Sequence, residues 1–160
     1  AQLPPSPGAQ NVGANLVHLD PLVACSGCDV NEKALGIAAA RFYSPPPSLY
    51  LMSATALQFG NGMFDLVFTC GVLIHIPPDD LGRAIDELVR VSRRHVLVME
   101  YFAPTETLVA PYRGETAALW KRPFDRIIGT RHPELILIEQ GPLTRADGFD
   151  DLTYWLWRKE

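Results

Sequence analysis

Residues 64–78 read FDLVFTCGVLIHIPP, an apolar run that ends in Cys70-Gly71 and passes directly into a turn holding His75. Leu66, Val67 and Phe68 follow one another without polar alternation, as in a parallel strand covered on both faces. Open α/β sheets bind their ligands in the loops beyond the carboxyl ends of such strands. Functional residues are therefore expected at this edge.

Downstream, Asp79 or Asp80 is expected to cap a helix. Its inner face is Leu81, Ile85, Leu88 and either Val91 or Ser92, and Arg93 and Arg94 complement the negative end of its dipole. His95 to Tyr101 (HVLVMEY) reads as a further buried strand, with Glu100 at its end. Upstream, Asn61-Gly62 supplies a turn, and Ser48 to Met52 (SLYLM) is a strand leading into Ser53-Ala54-Thr55.

Earlier still, Val23 to Val30 (VACSGCDV) reads as a strand of small residues with Asp29 near its end. Asn31 caps the helix that follows, whose apolar face is Leu35, Ala38, Ala39 and Phe42 before the Pro45-Pro46-Pro47 run. Asn11 to Leu19 reads as a turn and a short helix. After Tyr101, the loop FAPTETLVAPYRGE leads to a helix over 123–129, and then to strands at Leu135 to Glu139 and Leu152 to Trp157. Strands alternating with helices define an α/β chain, and the last two strands, with no helix between them, form an antiparallel hairpin.

The chain has 160 residues, of which 48% are hydrophobic and 20% charged, enough for one domain with its own core. Fourteen basic and eighteen acidic side chains give a net charge of -4, without the cationic footprint of a nucleic-acid binder. No apolar run reaches the roughly 20 residues that span a bilayer, and AQLPPSPGAQ lacks the features of a signal peptide. No membrane partner and a cytoplasmic address are the expectations. Cys25, Cys28 and Cys70 cannot all pair with one another and are expected to be reduced, buried thiols. Cys25-Ser-Gly-Cys28 lacks the second pair of ligands that structural zinc requires, so no metal is expected.

In this order the segments resemble the class I methyltransferases that use S-adenosylmethionine. In that family the first strand ends in a Gly-rich turn, the second in an acidic residue for the ribose hydroxyls, and the third in a turn near the adenine. The matching positions here are Gly8 to Asn15 (GAQNVGAN), Asp29 and Ser53-Ala54-Thr55. The segment GVLIHIPPDDLGRAIDELVRVS, followed by HVLVMEYF, is similar to the family's motif after the fourth strand and the helix and fifth strand beyond it. FDLVFTCGVLIHIPPDDL, EYFAPTETLVAPYRGE, WKRPFD and DDLTYWLW further resemble a bacterial subgroup of pseudaminic acid biosynthesis-associated methylases, which implies a sugar-related acceptor.

The resemblance implies a Rossmann-like, doubly wound, mostly parallel sheet over a single domain, with S-adenosylmethionine as cofactor and a small-molecule acceptor. The cofactor contacts it implies are Asn11, Gly13, Asp29, Ser53, Ala54, Cys70, Gly71 and Val72. Glycine permits close backbone approach, and a strand-end carboxylate accepts both ribose hydroxyls. His75 is the candidate base, since an imidazole titrates near neutrality; its alternative role is to orient the loop or cap the next helix. Glu100 is a candidate to bind acceptor or act as base. Tyr101, Tyr112 and Arg113 are candidates for the acceptor side, through ring stacking and bidentate guanidinium contacts. Trp120, Trp155 and Trp157 are expected to be packing residues.

One departure stands out. Pro4, Pro5 and Pro7 do not belong in a central strand, so the family's first central strand is expected to be missing or altered and the domain to be N-terminally truncated. That departure keeps a second hypothesis open, a catalytically inactive binding or scaffold protein with the methyltransferase fold. A nucleotide-binding oxidoreductase would also end its second strand in Asp, but the chain has no clean GxGxxG turn.

Overall fold

The structure is a computed structural model that describes residues 24–41, 47–111 and 119–160. The chain divides into two compact units, Ala1–Ala54 and Thr55–Glu160.

In the first unit, β1 (Ser26–Asp29) and β2 (Ser48–Leu51) pair in parallel, with Asp29 opposite Leu51. Between them, α1 (Glu32–Ala39) starts where the sequence places it. Asn31 Oδ1 accepts the backbone N–H groups of Lys33 at 3.0 Å and Ala34 at 3.4 Å, which satisfies two of the helix's orphan donors and is worth about 1 kcal/mol. The apolar face of α1 is narrower than expected: Ala38 is buried and Leu35 half-buried, whereas Ala39 is exposed. Cys28 is exposed and Cys25 half-buried, a departure from the expected buried thiols. The side chains of the four-residue β1 are at most half-buried, so only Cys70, in the second unit, has the expected surroundings. Phe42, the 11–19 segment, the Gly8–Asn15 turn and the question of a first central strand lie outside the described residues.

The second unit carries the larger sheet. Its strands are β3 (Phe64–Cys70), β4 (Ser92–Glu100), β7 (Leu135–Leu143) and β8 (Leu152–Lys159), in the order β3-β4-β8-β7. β3 and β4 are parallel, with Cys70 opposite Met99, while β8 runs antiparallel to both β4 and β7. The result is a mixed sheet in an α/β fold: among the described residues this sheet has one parallel and two antiparallel pairings, in place of the mostly parallel sheet expected, because β8 enters between β4 and β7 in the opposite direction. In a two-stranded ribbon, β5 (Thr107–Leu108), within the segment that the sequence marks as a loop, pairs antiparallel with β6 (Trp120–Lys121), which follows that segment. Within this unit β3 pairs only with β4 among the described residues. Its cover is correspondingly partial: Asp65 and Leu66 are exposed, and only Thr69 and Cys70 are buried.

Helix α2 (Pro78–Val91) crosses from β3 to β4. Leu81, Ala84, Ile85, Leu88, Val89 and Val91 are buried along it, matching and widening the expected inner face. Its ends differ from expectation. Pro77 is the N-cap and Pro78 the first helical residue, so Asp79 and Asp80 lie in the first turn. There they favour the dipole without capping it, because proline at this position needs no hydrogen-bond partner. Arg93 and Arg94 are not at the helix end, since β4 begins at Ser92 without a loop; Arg93 instead binds the Asp65 carboxylate on β3. The carboxyl end of α2 is satisfied by Lys159, whose Nζ donates to Val89 O and Ser92 O at 2.8 Å each.

The third helix, α3 (Phe124–Arg131), buries Phe124 and Ile128. Trp155 and Trp157, two apart on β8, are both buried on one face, and the Trp155 ring lies 5.8 Å from that of Phe124. Burial of side chains this large stabilises by about 1.5–3 kcal/mol each, and these tryptophans are packing residues as expected. No helix among the described residues is long and apolar enough to cross a membrane.

Candidate functional site

In the second unit, the carboxyl ends of β3 and β4 form the edge that the sequence marks as the candidate site. Cys70 is buried, and Gly71 then takes φ 64, a left-handed conformation that costs other residues strain but glycine almost nothing. Gly71 N–H still bonds Met99 O at 2.9 Å, so the chain turns sharply while attached to the neighbouring strand. A single 3₁₀ turn, Leu73–His75, follows. Inside it the N–H of His75 bonds Val72 O at 3.0 Å and that of Ile76 bonds Leu73 O at 3.2 Å.

Two buried side chains hold this turn. Glu100, at the end of β4, is 0% exposed, and its carboxyl accepts the N–H groups of Val72 and Leu73 at 3.0 Å each and of Ile74 at 3.4 Å. Burial pushes its pKa up to about 7, while the Leu73, Val72 and Ile74 amides and the Thr69 hydroxyl pull the other way. Arg122, immediately after β6, is also 0% exposed. Its Nη1 donates to Leu73 O at 2.8 Å, its Nη2 to Ile76 O at 2.9 Å and its Nε to the Glu106 carboxylate at 2.7 Å. The Trp120 ring lies 5.2 Å from the guanidinium carbon.

The edge thus brings together Cys70, Gly71, Val72, His75 and Glu100. His75 is exposed, and three positions earlier Val72 keeps 40% of its surface. Glu100 faces inward, with its oxygens on backbone amides, so it presents no oxygen to an acceptor and braces the turn instead. Tyr101 follows it; its hydroxyl donates to the Asp150 carboxylate, and the Lys121 ammonium lies 5.4 Å from its ring centre. Arg122 is the residue that the sequence left unassigned. Its only signal was its place in WKRPFD, because the carbonyls it binds lie more than 40 positions earlier in the chain.

In the first unit Asp29 is exposed at the end of β1, and its Oδ1 accepts Asn31 N–H at 2.8 Å, which fixes the carboxylate's orientation. Ser53 and Ala54 are half-buried just beyond β2. Asn11, Gly13, Tyr112 and Arg113 lie outside the described residues. Among the described residues no group of three or more His, Cys, Asp or Glu side chains could hold a metal ion.

Residues 11–95 match the family described as a methyltransferase domain. No curated protein matches the sequence. Among solved structures, the 1,6-didemethyltoxoflavin-N1-methyltransferase of Burkholderia thailandensis, with 1,6-didemethyltoxoflavin and S-adenosylhomocysteine bound, is similar at a TM-score of 0.73 and 14% identity, over 94% of this chain and 68% of that one. The magnesium protoporphyrin IX methyltransferase of Synechocystis PCC 6803 with bound S-adenosylmethionine gives 0.68 and 21%, over 95% and 67%. The N-methyltransferase NodS of Bradyrhizobium japonicum WM9 with S-adenosylhomocysteine gives 0.65 and 20%, over 92% and 73%.

A mixed-sheet α/β fold with a glycine turn at the end of β3 and a matching family profile defines a class I methyltransferase fold. The chain belongs to the methyltransferase-domain family and is an S-adenosylmethionine-dependent enzyme. Taken unit by unit, the described residues have chemistry that fits such a cofactor: in the first, Asp29 is an exposed, oriented carboxylate able to accept hydroxyl donors, and in the second, Gly71 has no side chain to obstruct a ligand at the end of β3.

Proposed function

We propose that this methyltransferase acts on a hydroxyl or amine of a small, sugar-related acceptor, with His75 as the base. When bound, the cofactor supplies a methyl carbon made electrophilic by its sulfonium; the protein's part is to align the acceptor and take its proton. The observation that carries this reading is an exposed imidazole on a turn whose backbone is held by two buried side chains, at the carboxyl end of parallel strands. A ring nitrogen of an imidazole open to solvent can accept the acceptor's proton.

In this proposal Asp29 takes the ribose hydroxyls, and Ser53 and Ala54 line the adenine. Asn11, Gly13, Cys70, Gly71 and Val72 complete the cofactor contacts, and Glu100 positions the turn. Tyr101, Tyr112 and Arg113 contact the acceptor. A small acceptor is supported by the varied compounds named for proteins of similar structure, a toxoflavin precursor and magnesium protoporphyrin IX. The sugar-related class is supported by the resemblance of FDLVFTCGVLIHIPPDDL, EYFAPTETLVAPYRGE and DDLTYWLW to the pseudaminic acid-associated methylases.

The test is calorimetric titration with S-adenosylhomocysteine, followed by transfer of labelled methyl to pseudaminic acid and other amino sugars. Binding, transfer to at least one such sugar, and a loss of about 10²–10⁴-fold in rate for His75→Gln are expected. Binding without any transfer would favour a scaffold role, and full activity in His75→Gln would remove the assigned base.

A further inference from the structure

We infer that Arg122 is a positioning residue for the turn that presents His75, an assignment that rests on the proposed role of that turn in the reaction. Leu73 and Ile74 anchor the turn in the core, whereas Val72 and His75 are exposed, so the backbone that carries His75 is held on its outer side by polar groups. The N–H groups of Val72, Leu73 and Ile74 point to Glu100, and the carbonyls of Leu73 and Ile76 point to Arg122. Leu73 is thus bonded on both sides of its backbone. His75 lies between two residues, Leu73 and Ile76, whose carbonyls share one guanidinium.

A planar guanidinium is suited to this task. Its two terminal nitrogens are fixed relative to each other, so the two carbonyls they bind are fixed as well, and Nε is left for Glu106. A lysine at this position has a single nitrogen and cannot hold both carbonyls and Glu106 in the same planar arrangement. Because Arg122 is fully buried, a shift of the turn would leave both terminal nitrogens without acceptors, with only Nε still paired to Glu106, so displacement of the turn is costly. Arg122 also follows β6 directly and its backbone forms a bridge with Phe102, so its side chain ties the described segment between β4 and α3 to the turn.

The test compares Arg122→Lys with Ile128→Val, a core substitution on α3 that destabilises the unit without touching the turn. Amide hydrogen exchange and the His75 ring Cε1–H NMR signal are read in both. In Arg122→Lys, exchange at Leu73, Ile74 and Ile76 is expected to rise at least tenfold relative to Val96 and Val98 in β4, and the His75 ring signal to move or broaden. In Ile128→Val neither is expected. If Arg122→Lys accelerates exchange uniformly along β3, β4 and the turn, or leaves the His75 signal in place, Arg122 is merely structural and the inference falls. Glu106→Gln, which keeps an acceptor for Nε at a half-exposed position, provides a milder variant should the lysine form fail to fold; a local rise of about threefold at the same amides is expected, and none would overturn the inference. Titration of the unaltered protein with S-adenosylhomocysteine tests the methyltransferase reading separately, since the exchange pattern does not depend on bound ligand.

Discussion

Glu100 and Arg122 meet at Leu73: the carboxyl of one accepts its N–H at 3.0 Å, and the guanidinium of the other donates to its carbonyl at 2.8 Å. Both side chains are fully buried, so the turn after β3 is built around two ionisable groups that solvent does not reach. Such groups are costly to bury and costly to unpair, which makes them sensitive probes of the site.

Glu100 should give the protein an unusual pH dependence. Its pKa rises from 4.5 to about 7 on folding because burial disfavours the charged form. Between these two values the folded state therefore holds a proton that the unfolded state has released. The resulting stability is full below the unfolded value and is lost as pH rises toward 7, a decline on the order of 3 kcal/mol. Urea unfolding of wild type at pH 5 and pH 7.5 should show the decline, and Glu100→Gln should abolish it. The glutamine variant should also lose about 1–3 kcal/mol relative to wild type at pH 5, since its amide nitrogen faces a backbone donor. An unchanged slope in the variant would mean that Glu100 does not carry the dependence.

Gly71 and Gly62 mark opposite ends of β3, and both have left-handed backbone, φ 64 and φ 61. Alanine at either position should cost about 1–2 kcal/mol of stability through backbone strain. Around Gly62 an added Cβ meets only ordinary contacts at 3.8 Å from Arg93. Both variants should therefore lose stability through the backbone and differ in ligand affinity: Gly71→Ala should weaken S-adenosylhomocysteine binding at least tenfold, and Gly62→Ala by less than twofold. Equal affinities would remove Gly71 from the cofactor edge.

The features legible in the sequence were those set by neighbouring residues. Asn31 bonds amides two and three positions away, and the apolar period of α2 repeats every turn, so both could be read locally. Arg93 and Arg94 resembled a helix end because nothing in the sequence shows that β4 starts at Ser92 with no intervening loop. Glu100 was found as a strand-end carboxylate, but its orientation depends on amides 26 to 28 positions earlier, which no local pattern encodes. Arg122 is the extreme case: a charged residue in a polar motif becomes fully buried only because Leu73, Ile76 and Glu106 converge on it.

Asp86 links α2 to the end of α3, with Arg131 Nε at 2.6 Å and His132 Nε2 at 3.0 Å. The Arg131 hydrogen bond is the main reason that its carboxyl lies below the usual aspartate range. A depressed folded value contributes stability that is present above the unfolded pKa of about 3.9 and is lost as pH falls through the folded value. The side chain is 44% exposed, so solvent screens the pair and the effect is expected to be about 0.5 kcal/mol. Asp86→Asn should be less stable than wild type by that amount at pH 7, and the two should converge in acid. Added salt should shrink the neutral-pH difference, and a difference that persists in strong acid would point to packing instead of charge.

Asp29 offers the sharpest test of cofactor recognition because its fold role is small. It is exposed, and the bond its side chain accepts from Asn31 N–H at 2.8 Å lies at a surface position, while its carbonyl's bond from Met52 N–H survives the change, so Asp29→Ala should cost no more than about 1 kcal/mol of stability. If its carboxylate accepts both ribose hydroxyls, the same change should weaken S-adenosylhomocysteine binding by about 10–100-fold, since charged acceptors make the stronger hydrogen bonds. Asp29→Asn, which keeps one acceptor oxygen, should fall between. An S-adenosylhomocysteine analogue lacking the 2′-hydroxyl isolates the contact, because wild type should lose affinity for it whereas Asp29→Ala, already without the acceptor, should hardly distinguish the two ligands. If both proteins discriminate against the analogue equally, the ribose is recognised elsewhere and Asp29 serves only to orient the start of α1.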